Sequence, residues 1–153
     1  MMTATRAIIV EFLDGRVTVG PDDEDEFARF AQDAMKVSRS CPTCDRPIRA
    51  FKHDLLAPLR EWCERRSAQI NACYVPVPQG HLEAYVIGTS EQYDFKLGHE
   101  VAELSLAFLD RGIHLLVMPI PNSADEGSFC HFSPEGAILV YANPKPTPYQ
   151  GPR

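Results

Sequence analysis

The chain has 153 residues, of which 44% are hydrophobic and 24% charged, and its formal net charge at pH 7 is −6. This length fits one domain that buries roughly 70% of its unfolded surface, so folding requires neither a metal nor a disulfide, and the composition excludes a disordered chain. The acidic balance argues against broad binding to nucleic acid or to an anionic membrane.

The N-terminal region predicts a β-hairpin. Residues Arg6–Leu13 and Arg16–Gly20 flank Asp14-Gly15, a dipeptide typical of two-residue hairpin turns. Apolar residues alternate along both runs, so each strand is expected to bury one face. Pro21 ends the hairpin.

The acidic run Asp22–Glu26 leads into an amphipathic helix. Asp23 and Glu26 have the spacing of a capping box, and carboxylates in a first turn interact favourably with the helix dipole. Capping therefore accounts for these carboxylates better than metal binding does. The buried stripe, at helical spacing, is predicted to consist of Phe27, Phe30, Ala31, Ala34 and Met35.

The remaining sequence predicts two more helices and four more strands. The second helix begins near Asp54 or Ala57 and runs to about Gln69, with Pro58 in its first turn. After it we expect a hairpin over Ile70–Val77 and Leu82–Ile87, a helix capped by Asp94 and ended by Gly112, a buried strand Ile113–Ile120 and a short strand Ala137–Tyr141.

These elements predict an α+β fold. We expect a single domain over residues 1–141, with a mixed β-sheet of about five or six strands, three helices mainly on one face, and a Cys-containing knuckle loop at residues 37–52. The helix between Leu82 and Ile120 would form a right-handed crossover if its flanking strands are parallel. The Pro-rich tail at residues 142–153 is expected to be extended or loosely ordered.

The motif Cys41-Pro42-Thr43-Cys44 is the most informative feature of the sequence. Two thiols separated by two residues can share a metal ion or form a disulfide. A structural zinc knuckle needs two further ligands. The sequence offers Cys63 and Cys73 for this purpose, with His53 as the alternative ligand.

Two other interpretations of this motif stay open. Its Cys-Pro-x-Cys pattern resembles that of glutaredoxin-like proteins over four residues, which implies dithiol redox chemistry. That chemistry needs a strand leading into the first cysteine and a helix that starts there, whereas Lys36–Ser40 does not have the pattern of a strand. Reduced, unligated thiols in a surface turn are the third interpretation.

The cysteine motif lies in a basic stretch of this acidic chain. Residues 36–66 carry 8 basic and 4 acidic side chains. Such a stretch either faces the acidic remainder and water, or forms a docking surface for an acidic or phosphate-bearing partner. The docking residues that we expect are Arg39, Arg46, Arg49 and Lys52.

A second candidate for chemistry is Cys130-His131, in the loop Pro121–Gly136. A thiol and an imidazole can act as nucleophile and base, but the fold normally brings such a pair together from distant positions. An enzyme would use Cys130 and His131 near the turn Gly88–Ser90, where a strand passes into a helix.

We therefore expect a small cytoplasmic accessory or interaction protein, not an enzyme, in which a zinc knuckle shapes a basic surface that docks a protein partner or a second copy. One alternative is a small enzyme with a thiol or histidine site near the loop 121–136. The other is a nucleic-acid-binding adaptor that uses residues 36–66, which the overall acidity disfavours. The sequence shows no signal peptide and no apolar run that could span a bilayer, and in the cytoplasm its cysteines would stay reduced.

Overall fold

The computed structural model describes residues 7–38, 46–122 and 136–145. They form the predicted α+β fold, a six-stranded mixed sheet with three helices against one face. The strands are β1 (Ile8–Leu13), β2 (Arg16–Val19), β3 (Ile70–Val75), β4 (Leu82–Gly88), β5 (Leu115–Ile120) and β6 (Ile138–Ala142).

The helical segments follow a short 3-10 turn at Pro21–Asp23. They are α1 (Glu24–Ser38), α2 (Pro47–Ala50), a π-helical segment (Phe51–Leu56), α3 (Ala57–Glu64) and α4 (Phe95–Asp110). Because α2, the π-helical segment and α3 follow one another without a break, they make one continuous helix. No helix in the described ranges is both long enough and apolar enough to cross a bilayer.

The strand order in the sheet is β2-β1-β6-β3-β4-β5. The two predicted hairpins are confirmed, since β1 pairs antiparallel with β2 and β3 with β4. At the first turn, Asp14 and Gly15 both have positive φ, 50° and 75°, as a type I′ turn requires. The pair β4 and β5 is parallel, so α4 is the crossover helix between them.

Helices α1 and α4 each bury one apolar stripe. All five members of the α1 stripe are buried, and so are Leu97, Val101, Leu104 and Phe108 on α4. The Asp94 carboxylate accepts a hydrogen bond from the Leu97 N–H at 3.1 Å, and Gly112 has φ 80° just after the helix ends.

The second helix starts earlier than predicted. It begins at Pro47 rather than near Asp54 or Ala57, and α1 continues through Ser38, so both ends of the expected 37–52 loop are helical. Pro47 occupies the first helical position, where its missing N–H costs nothing. Pro58 is accommodated because the wider π-helical segment ends just before it, whereas in a regular α-helix the proline ring would clash with the Asp54 carbonyl.

Phe51 fastens the continuous helix to α1. Its side chain is fully buried, and its ring centroid lies 5.7 Å from those of Phe27 and Phe30. Leu55 and Leu56, one turn further along, are also fully buried. Aromatic contacts at this separation add about 0.5–1.5 kcal/mol beyond the burial of apolar area.

Strand β5 is less buried than the sequence predicted, because it forms one edge of the sheet. Leu116 and Met118, on the face opposite the helices, are 52% and 40% exposed. The Val117 N–H donates to the Ser105 hydroxyl of α4 at 3.0 Å, and two residues later Pro119 has no N–H. The apolar run Ile113–Ile120 therefore contains an edge strand that buries only one face.

Truncation of the buried Phe51 side chain should destabilise the fold. We expect Phe51→Ala to lower the free energy of unfolding by about 3–5 kcal/mol, because it leaves a cavity between α1 and the second helix. Phe95→Ala is the matched control, since the Phe95 side chain is 81% exposed, and it should cost less than about 1 kcal/mol. Urea unfolding of the three proteins measures both values, and equal costs would contradict this packing.

Candidate functional site

A basic pocket lies where the second helix begins. The cavity has a volume of about 500 Å³ and is largely open to solvent. Its walls come from α1, from the first turn of the second helix and from the π-helical segment. The lining residues are Gln32, Arg46, Pro47, Ile48, Arg49, Lys52 and His53.

The helical register places the cations on one side. Arg46 lies just before the first helical residue, Arg49 lies in α2 and Lys52 in the π-helical segment, and all three line the pocket. The side of the helix that carries Phe51 is buried in the core against α1. As a result, the polar side chains of Lys52 and His53 face the pocket.

The pocket is electropositive. The described residues of its lining contribute two guanidinium groups, one ammonium group and one imidazole, and none of them is a carboxylate. Within the described ranges, none of these four side chains forms a salt bridge. The Lys52 ammonium lies 5.7 Å from the centroid of the Phe27 ring, which holds this charge beside the cavity. The three cations, Arg46, Arg49 and Lys52, together attract an anion.

The structure brings together most of the expected docking residues. Arg46, Arg49 and Lys52 share the pocket, while Arg39 lies outside the described residues. Sequence reasoning missed Gln32, which comes from α1 and is fourteen positions before Arg46. It also considered His53 only as a zinc ligand. The available signal was one helix that runs on through position 53, and Pro47 and Pro58 obscured it.

Cys63 and Cys73, two of the expected zinc ligands, also come together. Cys63 lies on α3 and Cys73 on β3, and both side chains are fully buried as free thiols. A hydrogen bond with Cys63, followed by burial and by the Cys63 charge, raises the pKa of the Cys73 thiol well above its ordinary value. The Cys73 thiol therefore stays protonated at neutral pH and is a poor nucleophile.

The buried thiol pair is remote from the pocket. Sixteen residues of continuous helix separate Pro47 from Cys63, a rise of roughly 20–24 Å. His53 lies on the pocket wall instead. Along the chain, Cys44 is three residues before Pro47 and is therefore nearer to His53 than to Cys63. Cys41 and Cys44 lie outside the described residues, and among those described no cluster of three metal-binding side chains occurs.

The alternative enzyme site is only partly described. Cys130 and His131 lie outside the described residues. The Gly88–Ser90 turn is tied by hydrogen bonds to other segments: the Thr89 N–H donates to the Gln69 carbonyl at 2.9 Å, and the Asn122 N–H donates to the Ser90 carbonyl at 2.7 Å. These backbone groups of the turn therefore have a structural role.

A polar cluster that the sequence did not indicate lies on β4. The Tyr85 hydroxyl donates to one Glu83 oxygen at 2.8 Å, and the other Glu83 oxygen lies 3.1 Å from His81 Nε2. Burial, the hydrogen bond to Glu83 and the Glu83 charge raise the pKa of Tyr85 to about 12. The Tyr85 hydroxyl is therefore a stable donor that orients Glu83.

Comparison with known proteins gives no family. No protein-family model, no curated protein and no solved structure matches this chain. The pocket itself is therefore the basis for any statement of function.

The buried thiol pair should respond to pH in one direction. The folded state keeps Cys73 protonated, whereas the unfolded state releases the proton above a pH of about 9, so the contribution of Cys73 to stability is constant below that pH and falls as the pH rises beyond it. We expect Cys73→Ala to flatten this alkaline slope in urea unfolding series. A slope that the variant leaves unchanged would contradict this assignment.

Proposed function

We propose that this chain is a small accessory or interaction protein that docks an acidic segment of a protein partner in the basic pocket. The observation that carries the proposal is the concentration of Arg46, Arg49 and Lys52 around one cavity, where none of the described lining residues is a carboxylate. Complementary charge accelerates association and selects the partner, even where it adds modest affinity.

The basic charge of the pocket, set in an acidic chain, favours an acidic protein segment over nucleic acid as the ligand. The net charge of −6 repels a long polyanion, whereas a short acidic segment needs to approach only the pocket. Among the described lining residues there is also no Phe, Tyr or Trp ring on which a base could stack.

The proposal includes a structural zinc ion near the pocket. Cys41 and Cys44 supply two thiolates, and His53, which is nearer to Cys44 along the chain than Cys63 is, supplies the third ligand. A zinc ion there would fix the chain that precedes Arg46 and hold the first turn of the second helix in place. We also propose a cytoplasmic location, where the thiols that bind the metal stay reduced.

Charge reversal in the pocket tests the docking proposal. A fluorescent glutamate-rich peptide should bind the native protein in a salt-sensitive manner, and Arg46→Glu/Arg49→Glu should weaken binding at least about tenfold, measured by fluorescence anisotropy at 0.1 M salt. The control is Arg16→Glu/Arg65→Glu, which makes the same change in net charge at exposed residues outside the pocket.

Two outcomes would contradict the docking proposal. Equal weakening by the control pair would show that net charge, not the pocket, governs binding. Tighter binding of a short DNA duplex than of the acidic peptide, at physiological salt, would support the nucleic-acid alternative instead.

Metal analysis tests the zinc proposal. Purified protein should contain about one equivalent of zinc, and Cys41→Ser/Cys44→Ser should lose both the metal and some thermal stability. His53→Ala should lower the zinc content, while His81→Ala, which removes an exposed histidine outside the pocket, should not. Metal-free native protein whose melting temperature a chelator leaves unchanged would rule out the site.

A further inference from the structure

The cations of the pocket lie around the start of the second helix and differ in exposure. Arg46, just before the helix, and Arg49 are exposed, whereas Lys52 is half-buried with its ammonium beside the Phe27 ring. An anion in the pocket would therefore meet two planar guanidinium groups and one ammonium group.

The charge of this set exceeds what one carboxylate can balance. A carboxylate brings one negative charge and two oxygens, whereas a phosphomonoester brings about 1.5 to 2 charges and three strong acceptor oxygens. Guanidinium groups bind phosphate through paired parallel hydrogen bonds, a geometry that lysine cannot reproduce. Two arginines beside one lysine thus match a phosphate group better than a glutamate side chain.

The cavity is larger than a phosphate group, and most of its exposed lining is apolar. Its volume of about 500 Å³ leaves room for the atoms that carry the phosphate, and Pro47 and Ile48 add apolar wall. Gln32, from α1, contributes an amide that can both donate and accept a hydrogen bond. A peptide backbone offers groups of both kinds.

From these features we propose that the pocket binds a phosphorylated serine or threonine within an extended segment of the partner protein. This inference rests on the proposed docking function and specifies its ligand. The packing of Phe51 against Phe27 and Phe30 fixes the helix that carries Arg49 and Lys52, which reduces the backbone ordering that binding requires.

Three versions of one short neutral peptide test the inference, with phosphoserine, serine or glutamate at the central position. By titration calorimetry, the phosphoserine peptide should bind at least about tenfold more tightly than the serine peptide and about fivefold more tightly than the glutamate peptide. Arg49→Lys keeps the charge but loses paired hydrogen bonds, so it should weaken phosphopeptide binding about five- to tenfold. Arg65→Lys, which changes an exposed arginine outside the pocket, should not.

The remaining outcomes separate the two proposals. Equal affinity for the glutamate and phosphoserine peptides would overturn the phosphate inference and leave the docking function in place. Failure of every peptide, including the glutamate-rich probe, would overturn both. Inorganic phosphate that binds as tightly as the phosphoserine peptide would overturn the inference, because the ligand would then be the free anion.

Discussion

The burial of Phe51 between Phe27 and Phe30 is the constraint on which the basic pocket depends. This contact fixes the rotation of the second helix about its own axis, since a helix with one side in the core must present the other to water. The same rotation therefore decides where Lys52 and His53 lie. One helical register thus determines both the core packing of Phe51 and the position of these polar side chains.

Much of the fold follows from local signals. The Asp14-Gly15 turn, the α1 stripe and the Asp94 cap each need only a few neighbouring residues, and each formed as predicted. Pro47 and Pro58 misled the prediction of the second helix, because a proline that starts a helix and one that follows a wide turn both look like breakers in sequence.

The candidate site was less predictable than the fold. The basic stretch indicated Arg46, Arg49 and Lys52, but only the packing of α1 against the second helix brings Gln32 to the same cavity. The meeting of Cys63 with Cys73 likewise depends on how α3 lies on β3, a contact across ten residues and between two kinds of element. Spacing along the chain carries no information about such tertiary neighbours.

The edge strand β5 has a consequence for the behaviour of the protein at high concentration. An unprotected edge offers backbone donors and acceptors on which another chain can add a strand, which is a common start of aggregation. The Val117 N–H already donates a hydrogen bond to the Ser105 hydroxyl, and Pro119 has no N–H. Two alternate positions on this strand therefore have no free donor for an incoming chain. The exposed Leu116 and Met118 are thus tolerated beside an edge that resists sheet extension.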